Sequence, residues 1–188
     1  LWFSTPNIYY PKRLNLEQTS SEITATYKSE KIKGKSLVDV TGGFGVDSFF
    51  FSKKLDQVFH CEIDEELSEI AEHNFNTLGA KNIVSIQGDG LDFLKLSKLH
   101  FDWIFLDPSR RHDSKGKVFL LTDCLPNVPE NLELLFDKAD RILIKTSPLL
   151  DLSVGLEELQ DVFEIHIVAV HNEVKALLWF LRKGRKGK

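Results

Sequence analysis

Only three residues, His171-Asn172-Glu173, separate the strand-like runs Phe163–Val170 and Val174–Leu181. No crossover helix fits in that gap, so the two runs must form an antiparallel pair. The constraint is sharp because the chain before it alternates in another manner. Ser36–Val40, Gln57–Ile63, Asn82–Gln87, Phe101–Leu106 and Arg141–Ile144 read as five strands. Between and after them lie helical patterns at Val46–Leu55, Asp64–Leu78 and Asp89–Leu99, a helical region broken by Pro126 and Pro129, and Leu156–Val162. In Asp64–Leu78 the apolar residues Leu67, Ile70, Ala71, Phe75 and Leu78 follow the 3.6-residue period. Asp64 suits the N-cap there, Glu65 and Glu66 suit the positive helix end, and Gly79 supplies the stop. Ser109–Lys117 reads as a polar loop.

Five β–α units closed by an antiparallel hairpin define an α/β fold. The expected architecture is a doubly wound, Rossmann-like, mostly parallel seven-stranded sheet, its last strand antiparallel, with helices on both faces. Three segments are expected: a basic, helix-containing lead-in over residues 1–35 packing over the sheet's loop edge, the main domain over 36–181, and a basic tail or linker over 182–188. The lead-in carries six Lys/Arg against three Asp/Glu, and the tail five Lys/Arg and no acid. A chain with net charge −4 therefore has a middle of −12. Basic ends suit a polyanion, although a Gly-rich run such as Lys183–Lys188 also suits a solvated tail.

At 188 residues and 42% hydrophobic, the chain can bury a core without disulfides or metal, which excludes disordered and disulfide-rich classes. No apolar run approaches a membrane span and no signal peptide is visible. Cys61 and Cys124 read as buried thiols of a cytoplasmic protein. Six scattered histidines show no zinc-like spacing, so no metal is expected. The sequence has no methionine and begins at Leu1, which points to a fragment or a processed piece.

The residues that carry chemistry cluster at strand ends. Asp39-Val40-Thr41-Gly42-Gly43-Phe44-Gly45 spans the turn from strand one into a helix, where glycines let a backbone approach a ligand. Asp39 precedes them, and an acid there can meet an ammonium, which S-adenosylmethionine has and a pyrophosphate cofactor lacks. The dehydrogenase fingerprint fits poorly, because Ser48 stands where its third Gly would fall. Glu62 closes strand two, 20 residues after Gly42, where an acid can accept from both ribose hydroxyls, with Ile63 beside it. Asp89, followed by Gly90, can bond an adenine amino group or cap the next helix. Gln18, Ser20 and Ser21 can cap a helix or line a cofactor pocket.

Strand four ends in Asp107-Pro108-Ser109-Arg110-Arg111. Pro108 fixes its own φ, so Asp107 and the Pro108 carbonyl present two aimed acceptors that can hold a substrate N–H. Arg110 and Arg111, beside Ser109, suit phosphate or carboxylate. Lys145 ends strand five at the same edge and can meet an anionic substrate or solvent.

Asp39–Gly45, Glu62, Asp89, Asp107-Pro108 and the terminal hairpin together resemble class I S-adenosylmethionine-dependent methyltransferases, over about residues 35–181. More narrowly, Leu16-Glu17-Gln18-Thr19-Ser20-Ser21-Glu22, Asp107-Pro108-Ser109-Arg110-Arg111 and Lys145-Thr146-Ser147-Pro148 resemble a bacterial group whose members carry a C-terminal THUMP-like domain, which is absent from this sequence. The resemblance implies S-adenosylmethionine as cofactor, held by Asp39, Thr41, Gly42, Gly43, Gly45, Glu62, Ile63, Asp89 and Gly90. It implies RNA as the substrate, met by Ser109, Arg110, Arg111 and Lys145, with Asp107 and Pro108 catalytic. Two departures stand out. Thr41 replaces the first Gly of the acidic–glycine motif. Ser109 and Arg110 replace the second Pro and the aromatic of amino-group methyltransferases of nucleic acids. An arginine plane can stack on a base in place of that aromatic. A small-molecule or protein methyltransferase, and a non-catalytic binding module, stay open as alternatives.

Overall fold

The computed structural model describes residues 2–12, 19–110 and 119–184. The sheet has seven strands in the order β3-β2-β1-β4-β7-β9-β8, where β1 is Ser36–Asp39, β2 Gln57–Glu62, β3 Ile83–Gln87, β4 Phe101–Leu106, β7 Ala139–Thr146, β8 Val162–Val170 and β9 Glu173–Arg182. β9 runs antiparallel to both its neighbours. This is the expected mixed, mostly parallel sheet with its reversed last strand. Two short strands, β5 (Ser109–Arg110) and β6 (Cys124–Leu125), form a separate antiparallel pair. The chain divides into two compact units, Leu1–Ser97 and Lys98–Lys188.

In the first unit the helices are α1 (Glu22–Lys31), α2 (Val46–Ser52), α3 (Glu65–Thr77) and α4 (Gly90–Leu96). Side-chain caps start three of them: Ser21 accepts from Thr24 N–H, Asp64 from Leu67 N–H, and Asp89 from Leu91 N–H. Gly79, at φ +69°, follows the C-cap of α3 and stops it as expected. All seven residues of α2 are buried, because it packs on β2 and is covered by α1. The lead-in adds Trp2, which is fully buried and meets Phe44, Phe49 and Phe75 edge-on at ring-centroid distances of 5.3, 5.3 and 6.0 Å. Burying an indole of this size is worth about 4–6 kcal/mol of apolar transfer, partly offset because its Nε1–H has no partner among the described residues. Asn74 of α3 clasps Tyr9 through both backbone groups, at 2.8 and 2.9 Å. The described lead-in residues thus contact α2, α3 and Phe44.

In the second unit β4 lies parallel to β7, and every residue of β4 except Asp102 is buried. This matches its apolar sequence. The β8–β9 turn places His171 at φ +51° and Asn172 at φ +62°, the two left-handed residues that match strand twist in a tight hairpin. Helices α5 (Val128–Lys138) and α6 (Leu152–Glu158) complete the unit. Three sequence expectations change here. Pro129 does not break a helix but lies in the first turn of α5, where its missing N–H costs nothing. The last helix starts four residues before its expected position, because Asp151 caps it at Ser153 N–H. β7 extends two residues beyond each expected end.

Trp179 of β9 anchors this unit: it is fully buried and donates its Nε1–H to Thr146 Oγ1 at 3.0 Å. A Cβ at Gly155 would lie 2.3 Å from the Trp179 ring. Helix propensity alone favours Gly155→Ala by about 1 kcal/mol. The overlap reverses the sign, so the substitution is expected to cost about 1–3 kcal/mol net. Urea unfolding checks this through a lower midpoint; an unchanged or higher midpoint would refute it.

Candidate functional site

Asp39, Glu62 and Asp89 stand at or just beyond the carboxyl ends of β1, β2 and β3, which are adjacent parallel strands. Asp39 is buried; its Oδ1 accepts from Thr41 N–H at 3.1 Å and its Oδ2 from Ser48 Oγ–H at 2.7 Å. Glu62 is half-buried and spans two backbones, taking Gly43 N–H on Oε2 at 2.7 Å and Asp64 N–H on Oε1 at 2.8 Å. The turn after β1 is thereby tied to the end of β2. Gly42 N–H adds a bond to Cys61 O at 2.8 Å. Ile63 stands beside Glu62 with 68% of its surface exposed, an apolar flank next to an acid. Asp89 is exposed and caps α4 through Leu91 N–H at 2.7 Å and Asp92 N–H at 3.2 Å. Burial pushes the Cys61 thiol well above its ordinary pKa, and Asp39, Asp89 and Glu62 all push it further. The three carboxylates therefore share one negative field, which suits a ligand carrying a cation.

The glycines of the turn have reasons the sequence did not show. A Cβ on Gly42 would overlap the His60 ring at 2.1 Å, and one on Gly45 would meet Phe75 at 2.5 Å. A Cβ on Gly90 would lie 2.5 Å from Val40. Packing from inside thus requires glycine at all three positions. Gly43, at φ +56°, is different, because the nearest atom to its Cβ position is Thr41 O at 3.8 Å. The open side of the turn is at Gly43. An acid-lined, open glycine turn beside an apolar flank fits a nucleoside bearing an ammonium, with ribose hydroxyls donating to the remaining lone pairs of Glu62.

Beneath α2 lies a polar cluster that the sequence reading missed. Lys28 Nζ donates to Asp47 Oδ2 at 2.5 Å and to Ser20 Oγ at 2.7 Å, and Ser20 Oγ–H reaches Asp47 Oδ2 at 2.8 Å. Lys28 is 1% exposed. The available signal was spacing: Thr24, Ala25, Lys28, Ser29 and Ile32 share the inward helical stripe, so periodicity alone turns Lys28 inward. Ser21 caps α1, while Gln18 lies outside the described residues.

In the second unit Asp107 follows β4, and its Oδ2 accepts from Lys145 Nζ of the neighbouring β7. Lys145 thus faces a carboxylate of its own chain, a partner the sequence did not indicate. Pro108 is buried and Ser109 exposed, the latter opening β5 where a loop was expected. Arg110 sets its guanidinium 5.4 Å from the Phe119 ring centroid. Arg111 and the tail residues Arg185, Lys186 and Lys188 lie outside the described residues. Among the described residues no group of three His, Cys, Asp or Glu is placed to hold a metal ion, and no helix is long and apolar enough to cross a membrane. A cavity of about 340 Å³ lined by Thr5, Phe49, Lys53 and Asn82 shares no residue with the glycine turn.

Sheet order, reversed strand and glycine turn define the class I S-adenosylmethionine-dependent methyltransferase fold. The chain superimposes on the crystal structure of a candidate methyltransferase from Porphyromonas gingivalis W83 with a TM-score of 0.89 and 36% identity, covering 98% of this chain and 46% of that one. A candidate methyltransferase from Streptococcus mutans in complex with SAH superimposes at TM-score 0.59 and 14% identity, over 86% of this chain and 96% of that one. In sequence, 105 residues are 26% identical to a tRNA (guanine(26)-N(2))-dimethyltransferase of Methanobrevibacter smithii, covering 54% of this chain and 27% of that enzyme. The chain therefore spans less than half the length of the P. gingivalis protein and about a quarter of the archaeal one. No protein-family model matches the sequence.

The buried Lys28–Asp47 pair supports the helix that follows the turn. Lys28→Met leaves Asp47 charged and buried, and is expected to cost about 3–5 kcal/mol of stability. Lys28→Met combined with Asp47→Leu should cost clearly less. Chemical denaturation of the two variants checks this, and a double variant no more stable than the single would contradict it.

Proposed function

We propose that this chain is an S-adenosylmethionine-dependent methyltransferase acting on RNA in the cytoplasm. The observation that carries the proposal is the clasp of Gly43 N–H by Glu62 between Asp39 and Asp89, at the ends of three adjacent parallel strands. The cofactor's sulfonium supplies an activated methyl group. Asp39 takes the ammonium, Glu62 the ribose hydroxyls and Asp89 the adenine amino group. Thr41, Gly42, Gly43, Gly45 and Gly90 shape the turn, and Ile63 covers an apolar face. Use of this cofactor is supported by the SAH-bound S. mutans neighbour, and RNA by the tRNA enzyme similar in sequence. Residues 36–181 form the catalytic domain, 1–35 its basic lead-in and 182–188 a basic tail.

Asp107 and the Pro108 carbonyl would hold and orient the acceptor N–H, and Asp107 would take up its proton, while the bound cofactor would supply the activated methyl group. Lys145 holds Asp107 in place, and Ser109, Arg110 and Arg111 meet the phosphates or stack on a base. Orientation is the main contribution, worth up to about 7–11 kcal/mol in favourable cases.

Transfer of tritiated methyl from S-adenosylmethionine to fractionated RNA, protein and small metabolites tests this reading. Label is expected in RNA, tRNA being the first fraction to examine. Asp107→Ala should reduce incorporation about 100-fold through misalignment. Label confined to protein or metabolites would overturn the substrate, and an Asp107→Ala rate equal to wild type would remove Asp107 from catalysis.

A further inference from the structure

We infer that His60 and Ser48 are positioning residues that aim the Asp39 carboxylate at the ammonium of the bound cofactor. The inference rests on the reading of Asp39 given above. Asp39 and His60 are directly opposite in the parallel β1–β2 pair, so their side chains leave the sheet on one face. Ser48, in the first turn of α2, lies between them. Its Oγ is 2.7 Å from Asp39 Oδ2 and 3.1 Å from His60 Nδ1.

Proton accounting fixes the direction of the chain. An ionised carboxylate only accepts, so the Ser48 hydroxyl proton points to Asp39. Ser48 Oγ then has only lone pairs to offer His60, and the imidazole must carry its proton on Nδ1. The chain runs from His60 Nδ1–H to Ser48 Oγ–H to Asp39 Oδ2. His60 Nε2 is left as a bare lone pair, buried and without a partner among the described residues. Complete burial agrees with this, lowering the imidazole pKa to about 3 and keeping the ring neutral. An imidazolium would instead need a second acceptor at Nε2.

The same ring is wedged under the glycine turn, where a Cβ on Gly42 would occupy its position. Phe75 holds it from the side, edge-on at 5.1 Å between ring centroids. His60 therefore has one rotamer and one tautomer available, and passes that rigidity through Ser48 to Asp39. Thr41 N–H holds the other carboxylate oxygen. The carboxylate plane is set from both sides before any ligand arrives. Aim of this kind acts only on a ligand that carries the ammonium.

Calorimetric titration with two compounds isolates that effect. S-Adenosylhomocysteine carries the ammonium, whereas 5′-methylthioadenosine keeps adenine, ribose and sulfur but lacks the amino-acid part. Ser48→Ala and His60→Phe are each expected to weaken S-adenosylhomocysteine about 10-fold, the scale of one hydrogen bond to a charged group. Affinity for 5′-methylthioadenosine should stay within about twofold, because none of its groups meets Asp39. His60→Asn, whose side-chain N–H falls near the Nδ1 position, should recover most of the loss. Nitrogen-15 spectra of the wild type should show the proton on Nδ1 at neutral pH. Equal weakening of both compounds, or no weakening of S-adenosylhomocysteine, would overturn the relay while leaving the cofactor assignment standing. Wild-type protein that binds neither compound would overturn both. If His60→Phe does not fold, Ser48→Ala decides between these outcomes.

Discussion

The hydrogen bond from Gly43 N–H to Glu62 Oε2 joins two consequences of one strand pairing. Parallel register between β1 and β2 brings the turn after one strand beside the last residue of the other. Parallel strands need crossover connections, and α2 supplies this one. A crossover this short must lie close against the sheet, and every residue of α2 is accordingly buried. That burial brings polar groups inside with it. Ser48 and Asp47 leave α2 in different directions, Ser48 toward Asp39 and His60, Asp47 toward Lys28 and Ser20. The geometry of the glycine turn is thus held by a buried polar framework on each side of one helix.

The second unit follows similar logic with different parts. Its reversed strand carries Trp179, whose ring requires glycine at position 155 and whose N–H is satisfied by Thr146. Thr146 is next to Lys145 on β7, so the strand that anchors the core also presents the lysine bound to Asp107. A buried anchor one residue away limits the freedom of that ion pair. The Lys145 charge meets a carboxylate of its own chain, that of Asp107.

Much of this was legible in the sequence, for identifiable reasons. The three-residue gap at His171 left no topology but a hairpin, and the β–α alternation left little choice for the remainder. Asp64, Asp89 and Gly79 announced helix boundaries because capping chemistry is local. Asp39, Glu62 and Asp107 were visible because strand ends are where such folds place polar groups. What escaped was contact between residues distant in sequence. Nothing local shows that Lys145 meets Asp107, that Asp47 is the partner of the inward-facing Lys28, or that His60 fills the space beneath Gly42. The glycines of the turn after β1 were read as openings for a ligand, and two of those three also have a side chain pressing on them from inside. The start of the last helix was misplaced because the cap at Asp151 outweighs the helix-weakening Gly155, whose cost is met by packing on Trp179.

The central claim is that the acid-lined turn of the first unit holds an S-adenosyl compound. Titration of the protein with S-adenosylhomocysteine and, separately, with NAD tests it most directly. Saturable binding of S-adenosylhomocysteine, weakened about 10-fold or more by Glu62→Ala and absent for NAD, is the predicted result. Saturable NAD binding with no S-adenosylhomocysteine binding would contradict the account.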